Sequence, residues 1–231
     1  QTCALPILSR GLAGLFAGAP EASTRAWAQA MYWAHVVLVL AFLNYLPYGK
    51  HFHVLTSLPA VFLKRLTPPA AADPLEFEGK ESFGVGAVEE FSWRRLLDMY
   101  TCTECGRCNV NCPTAVTGKP LRPKSLICDE RDHLYRFAGE LAEVGKLKAR
   151  GRPQEAAARA AAIARPALVG EVNGDDTLWA CTTCGWCQTA CPVVIEHVPH
   201  VVDQRRWLTM TAARVPPEMQ NALRGLENNS N

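Results

Sequence analysis

Apolar residues are spread unevenly along this chain. From Ala26 to Gly49 there are 24 consecutive residues without a single Asp, Glu, Lys or Arg. As a helix this run spans about 36 Å, enough to cross a hydrocarbon core of about 30 Å. Trp27, Tyr32 and Trp33 lie near one end and Tyr45 and Tyr48 near the other, as interfacial aromatic belts do. The pattern predicts a transmembrane helix at about residues 27–48; a buried helix of a soluble domain is the plainer alternative.

Further on, the apolar positions come in shorter, helix-periodic groups. Ser92 can cap a helix from Trp93 to Tyr100, in which Leu96, Leu97 and Tyr100 share a face. Leu126 to Leu141 reads as a second helix, and the Ala/Arg-rich stretch 154–165, bounded by Pro153 and Pro166, as a third. Asp175 or Asp176 can cap a short helix, and Val198 to Ala213 continues past Pro199. Residues 67–76, with Pro68, Pro69 and Pro74, read as a linker. The expected fold is mainly α: a membrane segment over 8–66, a linker over 67–87 and a helical domain over 88–231.

Charge refines this picture. The net charge of +2 across 231 residues offers no field for nucleic acid. Residues 1–66, however, carry five cations and one anion, leaving −2 for the rest. Lys50, Lys64 and Arg65 follow the second end of the apolar run. The cation bias puts that end, and the domain after it, on the cytoplasmic side of the plasma membrane, in contact with lipid. The opening residues 1–7, Gln-Thr-Cys-Ala-Leu-Pro-Ile, read as a translated sequencing-library adaptor, and the chain as a fragment of a longer protein.

Eight of the ten cysteines carry the chemistry. Cys102-x2-Cys105-x2-Cys108-x3-Cys112-Pro113 recurs 79 positions later as Cys181-x2-Cys184-x2-Cys187-x3-Cys191-Pro192. Three thiolates at equal steps line a loop that can wrap a cubane, with a fourth on the element leaving it; this is the bacterial [4Fe–4S] run. Gly106 and Gly185 fill the same slot, where a bare backbone can approach a cluster. A zinc-binding structural module would favour two Cys-x2-Cys pairs with a longer insert, and cysteines three apart pair poorly as disulfides. Cys128 fits neither motif and reads as a small buried hydrophobe. No acid, base or nucleophile constellation is evident, so no complete catalytic site is expected. His133, His197 and His200 read as surface or helix-packing residues, and Arg205 and Arg206 as a solvated helix face.

His35 and His53 are 18 residues apart, five turns of a continuous helix, so both imidazoles would leave one face about 27 Å apart. An ionisable group in a span is functional by default, and haem iron takes axial His. A helix–helix hydrogen bond at His35 and an interfacial His53 are the alternative. The stretch from His35 through Pro47 to His53 resembles the last helix of the gamma-type cytochrome b of respiratory nitrate reductase. That resemblance implies two b-type haems, with His35 the outer ligand and His53 the inner one. Each would need further ligands from other helices.

The two cysteine runs, with Phe91-Ser92-Trp93 before the first and Trp179-Ala180 before the second, resemble membrane-bound iron–sulfur oxidoreductases of the heterodisulfide-reductase-related family. The resemblance covers about residues 27–227. It implies an α-helical ferredoxin-type domain with two [4Fe–4S] clusters. It also implies electron transfer between haem b or quinone in the membrane and a soluble partner, such as an electron-transfer flavoprotein or a disulfide-reductase subunit. As in two-cluster ferredoxins, the fourth cysteines would be exchanged. One cluster would then take Cys102, Cys105, Cys108 and Cys191, and the other Cys181, Cys184, Cys187 and Cys112. A dicluster ferredoxin on a plain membrane anchor, with both histidines idle, is the rival reading.

Overall fold

The computed structural model describes residues 9, 11, 13–14, 18–49, 51–79 and 82–229. The adaptor-like residues 1–7, Cys3 among them, and Lys50 lie outside these. The chain divides into two compact units, Gln1–His51 and Phe52–Asn231.

The first unit is dominated by one helix, α1, Glu21–Tyr45, which Pro20 precedes and an Arg25–Glu21 ion pair closes at its first turn. None of its side chains is buried. With the 3-10 turn Leu46–Tyr48 that follows, it is the only helix among the described residues long and apolar enough to cross a membrane. A single helix running from His35 to His53 does not form. Pro47 lacks an amide proton and crowds the preceding turn, and the backbone at Gly49 is extended (φ −128°, ψ −171°). His35 and His53 therefore belong to different helices, and the five-turn argument, which needs one unbroken rod, does not apply.

The second unit opens on α2, Phe52–Phe62. Its Thr56 and Ala60, one turn apart, are buried against α3, Trp93–Thr101. Thr56 Oγ1 donates to the Tyr100 carbonyl (3.2 Å) and Thr101 Oγ1 to the Thr56 carbonyl (3.4 Å). The expected polarity of α3 is reversed. Leu96 and Leu97 are only partly covered, whereas Arg94, Arg95 and Asp98 are buried with Met99 and Thr101. Ser92 occupies the N-cap position with extended backbone but its hydroxyl makes no capping bond.

Two short helices follow, α4 (Arg107–Val110) and α5 (Pro113–Val116). The next expected helix forms as two, α6 (Pro123–Arg136) and α7 (Ala138–Ala149), because Phe137 leaves helical geometry at φ −110°, ψ 11°. Then come α8 (Pro153–Ala161), α9 (Asp175–Trp179) and α10 (Trp186–Ala190). Asp175 and Asp176 lie in the first turn of α9, and Gly174 takes the cap position. Finally α11 (His197–Arg206) widens into a π turn at Trp207–Thr211, and α12 (Pro217–Asn229) buries none of its residues. Among the described residues there is no strand, only an isolated bridge between Val169 and Asn173. Val88, Met99, Ile127, Leu178, Ile195 and Leu208 form the centre of the core. The architecture is thus mainly helical, with one candidate membrane helix.

The stretch read as a linker is a strap packed on the second unit. Ala70 N–H donates to Gln188 Oε1 (2.5 Å), Arg206 donates to the Asp73 carbonyl (2.5 Å), and Val85 N–H to the Asp203 carbonyl (2.9 Å). A Cβ on Gly86 would lie 2.2 Å from the Trp207 ring, so only glycine permits that approach. The compact unit accordingly begins at Phe52 rather than at residue 88.

Candidate metal centre

Two loops of nearly identical backbone carry the eight cysteines. In the first, Glu104 takes a left-handed conformation (φ 56°) and Gly106 another (φ 78°). The matching residues of the second, Thr183 and Gly185, have φ 52° and 74°. Such values are costly for a residue with a Cβ, so the sequence holds a specific loop shape at both places. Each glycine opens a short helix bearing the third cysteine, Cys108 in α4 and Cys187 in α10. The fourth cysteines also agree: φ −71°, ψ 119° at Cys112 and φ −78°, ψ 120° at Cys191. A proline follows each and turns the chain away.

The loops trade their last cysteines in space. Cys191 lies within electrostatic range of Cys102, Cys105 and Cys108, and these four line one cavity with Ile195 and His197. Cys112 stands likewise near Cys181 and Cys187, with Cys184 beside Cys181. Cys108 and Cys187 meet over Val198, which forms a wall common to both groups. Cys105 and Cys184, the second cysteine of each run, are exposed. Among the described residues no three His, Cys, Asp or Glu are gathered tightly enough to hold a single metal ion. The donor set, eight free thiols in two groups of four, the first of them lining a cavity, fits two multi-iron cages.

Burial sets the state of these thiols. It pushes Cys108 up to about 12, with neighbouring thiols adding to it, and raises Cys181, Cys187 and Cys191 in the same way. Cys102 moves the other way, to about 7, because Cys128 hydrogen-bonds to it and outweighs burial. Cys128 is therefore a neighbour of the first loop rather than a plain core residue. Metal ligation requires thiolates, so a cationic core is what makes four neighbouring charges tolerable together. Backbone N–H groups already point at sulfur: Thr183 N to Cys181 Sγ and Ile195 N to Cys191 Sγ, both at 3.4 Å. Thr114 Oγ1 lies 2.9 Å from Cys112 Sγ.

Between the elements that present the cysteines runs a buried polar network that patterning did not reveal. His200 Nδ1 is 2.7 Å from Glu130 Oε2, and its Nε2 is 3.8 Å from Asp98 Oδ2. Glu130 also accepts from Asn173 (2.9 Å) and Gln204 (2.7 Å). Arg94 and Arg95 pair with Asp98, and Arg95 reaches Glu196 at 2.6 Å and Asp73 at 2.9 Å. Burial alone would lower the His200 pKa, yet Glu130 and Asp98 outweigh it and raise the value to about 9. His197, where burial and the neighbouring His200 outweigh Asp98 and the Ile195 carbonyl, drops to about 4. All three of His133, His197 and His200 are buried, which removes the surface reading. The signal available in the sequence was His200 and Gln204 one turn apart on the same helix as apolar Val201 and Leu208.

Arg205 and Arg206 are not a solvated face either. Arg205 donates to three backbone carbonyls at the second loop and lies over the Trp179 ring; Arg206 holds Asp203 and the strap.

Comparison with known proteins agrees with this geometry. Residues 101–195 match the family described as 4Fe-4S dicluster domain. The chain is 34% identical, over 98% of its length, to the probable iron-sulfur-binding oxidoreductase FadF of Bacillus subtilis (strain 168), of which it covers 34%. It is 35% identical, over 89% of its length, to the EtfAB:quinone oxidoreductase of Syntrophomonas wolfei, covering 29% of that protein. With a probable membrane-anchored ferredoxin of Chromohalobacter salexigens the identity is 37% over 58% of this chain and 20% of the relative. The chain thus spans about a third, or less, of the length of these relatives. No solved structure matches.

Proposed function

We propose that this chain, which carries a 4Fe–4S dicluster domain, is the cluster-bearing part of a membrane-anchored electron-transfer protein. The observation that carries the reading is the exchange of fourth cysteines: Cys191 stands with Cys102, Cys105 and Cys108, and Cys112 with Cys181 and Cys187. One [4Fe–4S] cluster is held by the first four. The other is held by Cys181, Cys184, Cys187 and Cys112. When bound, each cluster accepts and gives up one electron.

The chain's own residues do the rest. The thiolates hold the iron, the Thr183 and Ile195 amides offset charge on sulfur, and Val198 with the surrounding core keeps water from the space between the sites. Cys105 and Cys184 are exposed, so each site has an edge that a soluble partner can approach. One relative is named for an electron-transfer flavoprotein and a quinone. This supports an electron-transfer flavoprotein as soluble partner and quinone as membrane partner here. α1 supplies the anchor, with the cluster domain on the cytoplasmic side. His35 and His53 remain the residues available to haem b iron, each needing a further ligand from another helix.

Anaerobically purified protein tests the reading. Brown absorbance that bleaches with dithionite, with iron and acid-labile sulfide in equal amounts, is the expected result. Colourless protein that holds zinc instead would overturn it.

A further inference from the structure

Arg205 makes more backbone contacts than any single core residue requires. It projects from α11, its Nε and Nη2 donating to the Leu178 carbonyl at 2.9 and 2.6 Å. Nη2 also reaches the carbonyls of Trp179 (3.2 Å) and Cys181 (2.5 Å). Its guanidinium carbon lies 5.0 Å from the centre of the Trp179 ring. The last carbonyls of a helix have no intrahelical partner, and α9 ends at Trp179. One planar fork thus closes that helix end and grips the first residue of the second cysteine loop.

The first loop is held differently. Arg131 bonds its Glu104 side chain (2.9 Å) and the neighbouring Asp132 (2.9 Å), side chains rather than backbone carbonyls. At the end of the helix before Cys102 the Tyr100 carbonyl accepts instead from Thr56 Oγ1 (3.2 Å). The repeated sequence is therefore secured by different devices at its two copies.

We propose that Arg205 is the positioning residue of the second cluster, fixing the Cys181 backbone so that its thiolate faces the cage and holding one positive charge beside that cage. The proposal rests on the two-cluster reading. Losing the clamp should release the second cluster or, where it stays, make it harder to reduce, because a nearby cation stabilises the more negative reduced state.

The test uses the full chain, purified anaerobically as wild type, Arg205→Gln, Arg205→Lys and Arg224→Gln. Iron content, the paramagnetic signals of the reduced clusters and the midpoint potential of each are measured. Cys105→Ser and Cys184→Ser assign the signals to the two sites. In Arg205→Gln the second signal should disappear with half the iron, or move to a more negative potential while the first is unchanged. Arg205→Lys should keep the iron yet lose the second cluster to a chelator several-fold faster than the first. Arg224→Gln, on α12, which buries none of its residues, should match wild type in both respects. Wild-type stoichiometry and both potentials unchanged in Arg205→Gln, or equal damage to both clusters, would overturn the proposal. If Arg205→Gln does not accumulate, Arg205→Lys decides, and equal chelator sensitivity of its two clusters counts against the clamp. Wild-type protein without iron would instead remove the cluster reading itself.

Discussion

The two cysteine loops agree in backbone and differ in support. Both pass through left-handed geometry at the same two positions, and their last cysteines share φ and ψ within a few degrees. Around the first loop the contacts come from α6: Arg131 to Glu104, Cys128 to Cys102, and the Lys124 amide to Asn109 Oδ1. Around the second they come from α11 and from the strap, where Gln188 holds Ala70 and Gly185 lies under Pro69. The lesson is that a repeated motif dictates the cage, while the unrepeated chain around it sets each cage's charge, access and stability. Two clusters of one type can then differ in potential within a single domain.

The sharpest way to break the comparison is to remove the exchanged ligands. Cys191→Ser should abolish the cluster at the first loop and spare the second, and Cys112→Ser should do the reverse. Iron analysis and low-temperature paramagnetic spectra of the reduced proteins read the outcome. If each variant instead loses the cluster of its own loop, the exchange is wrong.

Next in size is the network shared by both halves. Glu130→Ala leaves His200, Asn173 and Gln204 without their acceptor and should cost about 3–5 kcal/mol in denaturant unfolding. The same pair has a pH signature. Folding raises the His200 pKa from 6.5 to about 9, so its contribution is complete below pH ~6.5 and lost as pH rises through ~9. The total at stake is on the order of 3 kcal/mol. Stability measured from pH 6 to 10 should fall in wild type through this window and fall less in Glu130→Gln.

The smallest effect separates the two glycines. Gly106→Ala meets no atom within 4 Å and should cost only the left-handed penalty, about 1–2 kcal/mol. At Gly185 the new methyl would lie 3.0 Å from Pro69 Cβ, adding about 1 kcal/mol or more of overpacking. Equal losses of thermal stability would show that the strap does not press on the second loop.

How legible all this was from sequence follows from the physics of each signal. The cysteine spacing was legible because a cubane constrains its ligands locally, and the apolar run because a bilayer demands length. The helix end at Tyr45 was not legible: a continuous helix from His35 to His53 was expected, whereas the chain breaks at Pro47 and Gly49. The inward charges of α3 were not legible, since Arg94 and Arg95 find Glu196 and Asp73 only when distant segments fold onto the helix. Arg205 failed for the same reason. Its partners are carbonyl oxygens, which every residue has and no pattern marks. His133, His197 and His200 had lost their interest once the cysteines satisfied both clusters, yet two of them line or brace the space between the loops.

The trade of Cys112 and Cys191 bears on how the protein is made. On the proposed cluster assignment, neither half of the domain has a full set of donors until the other has been synthesised and folded against it. A ribosome-bound chain that ends between the loops can therefore retain iron only loosely. Starved cells should then hold two populations, fully loaded and empty, with few molecules in between.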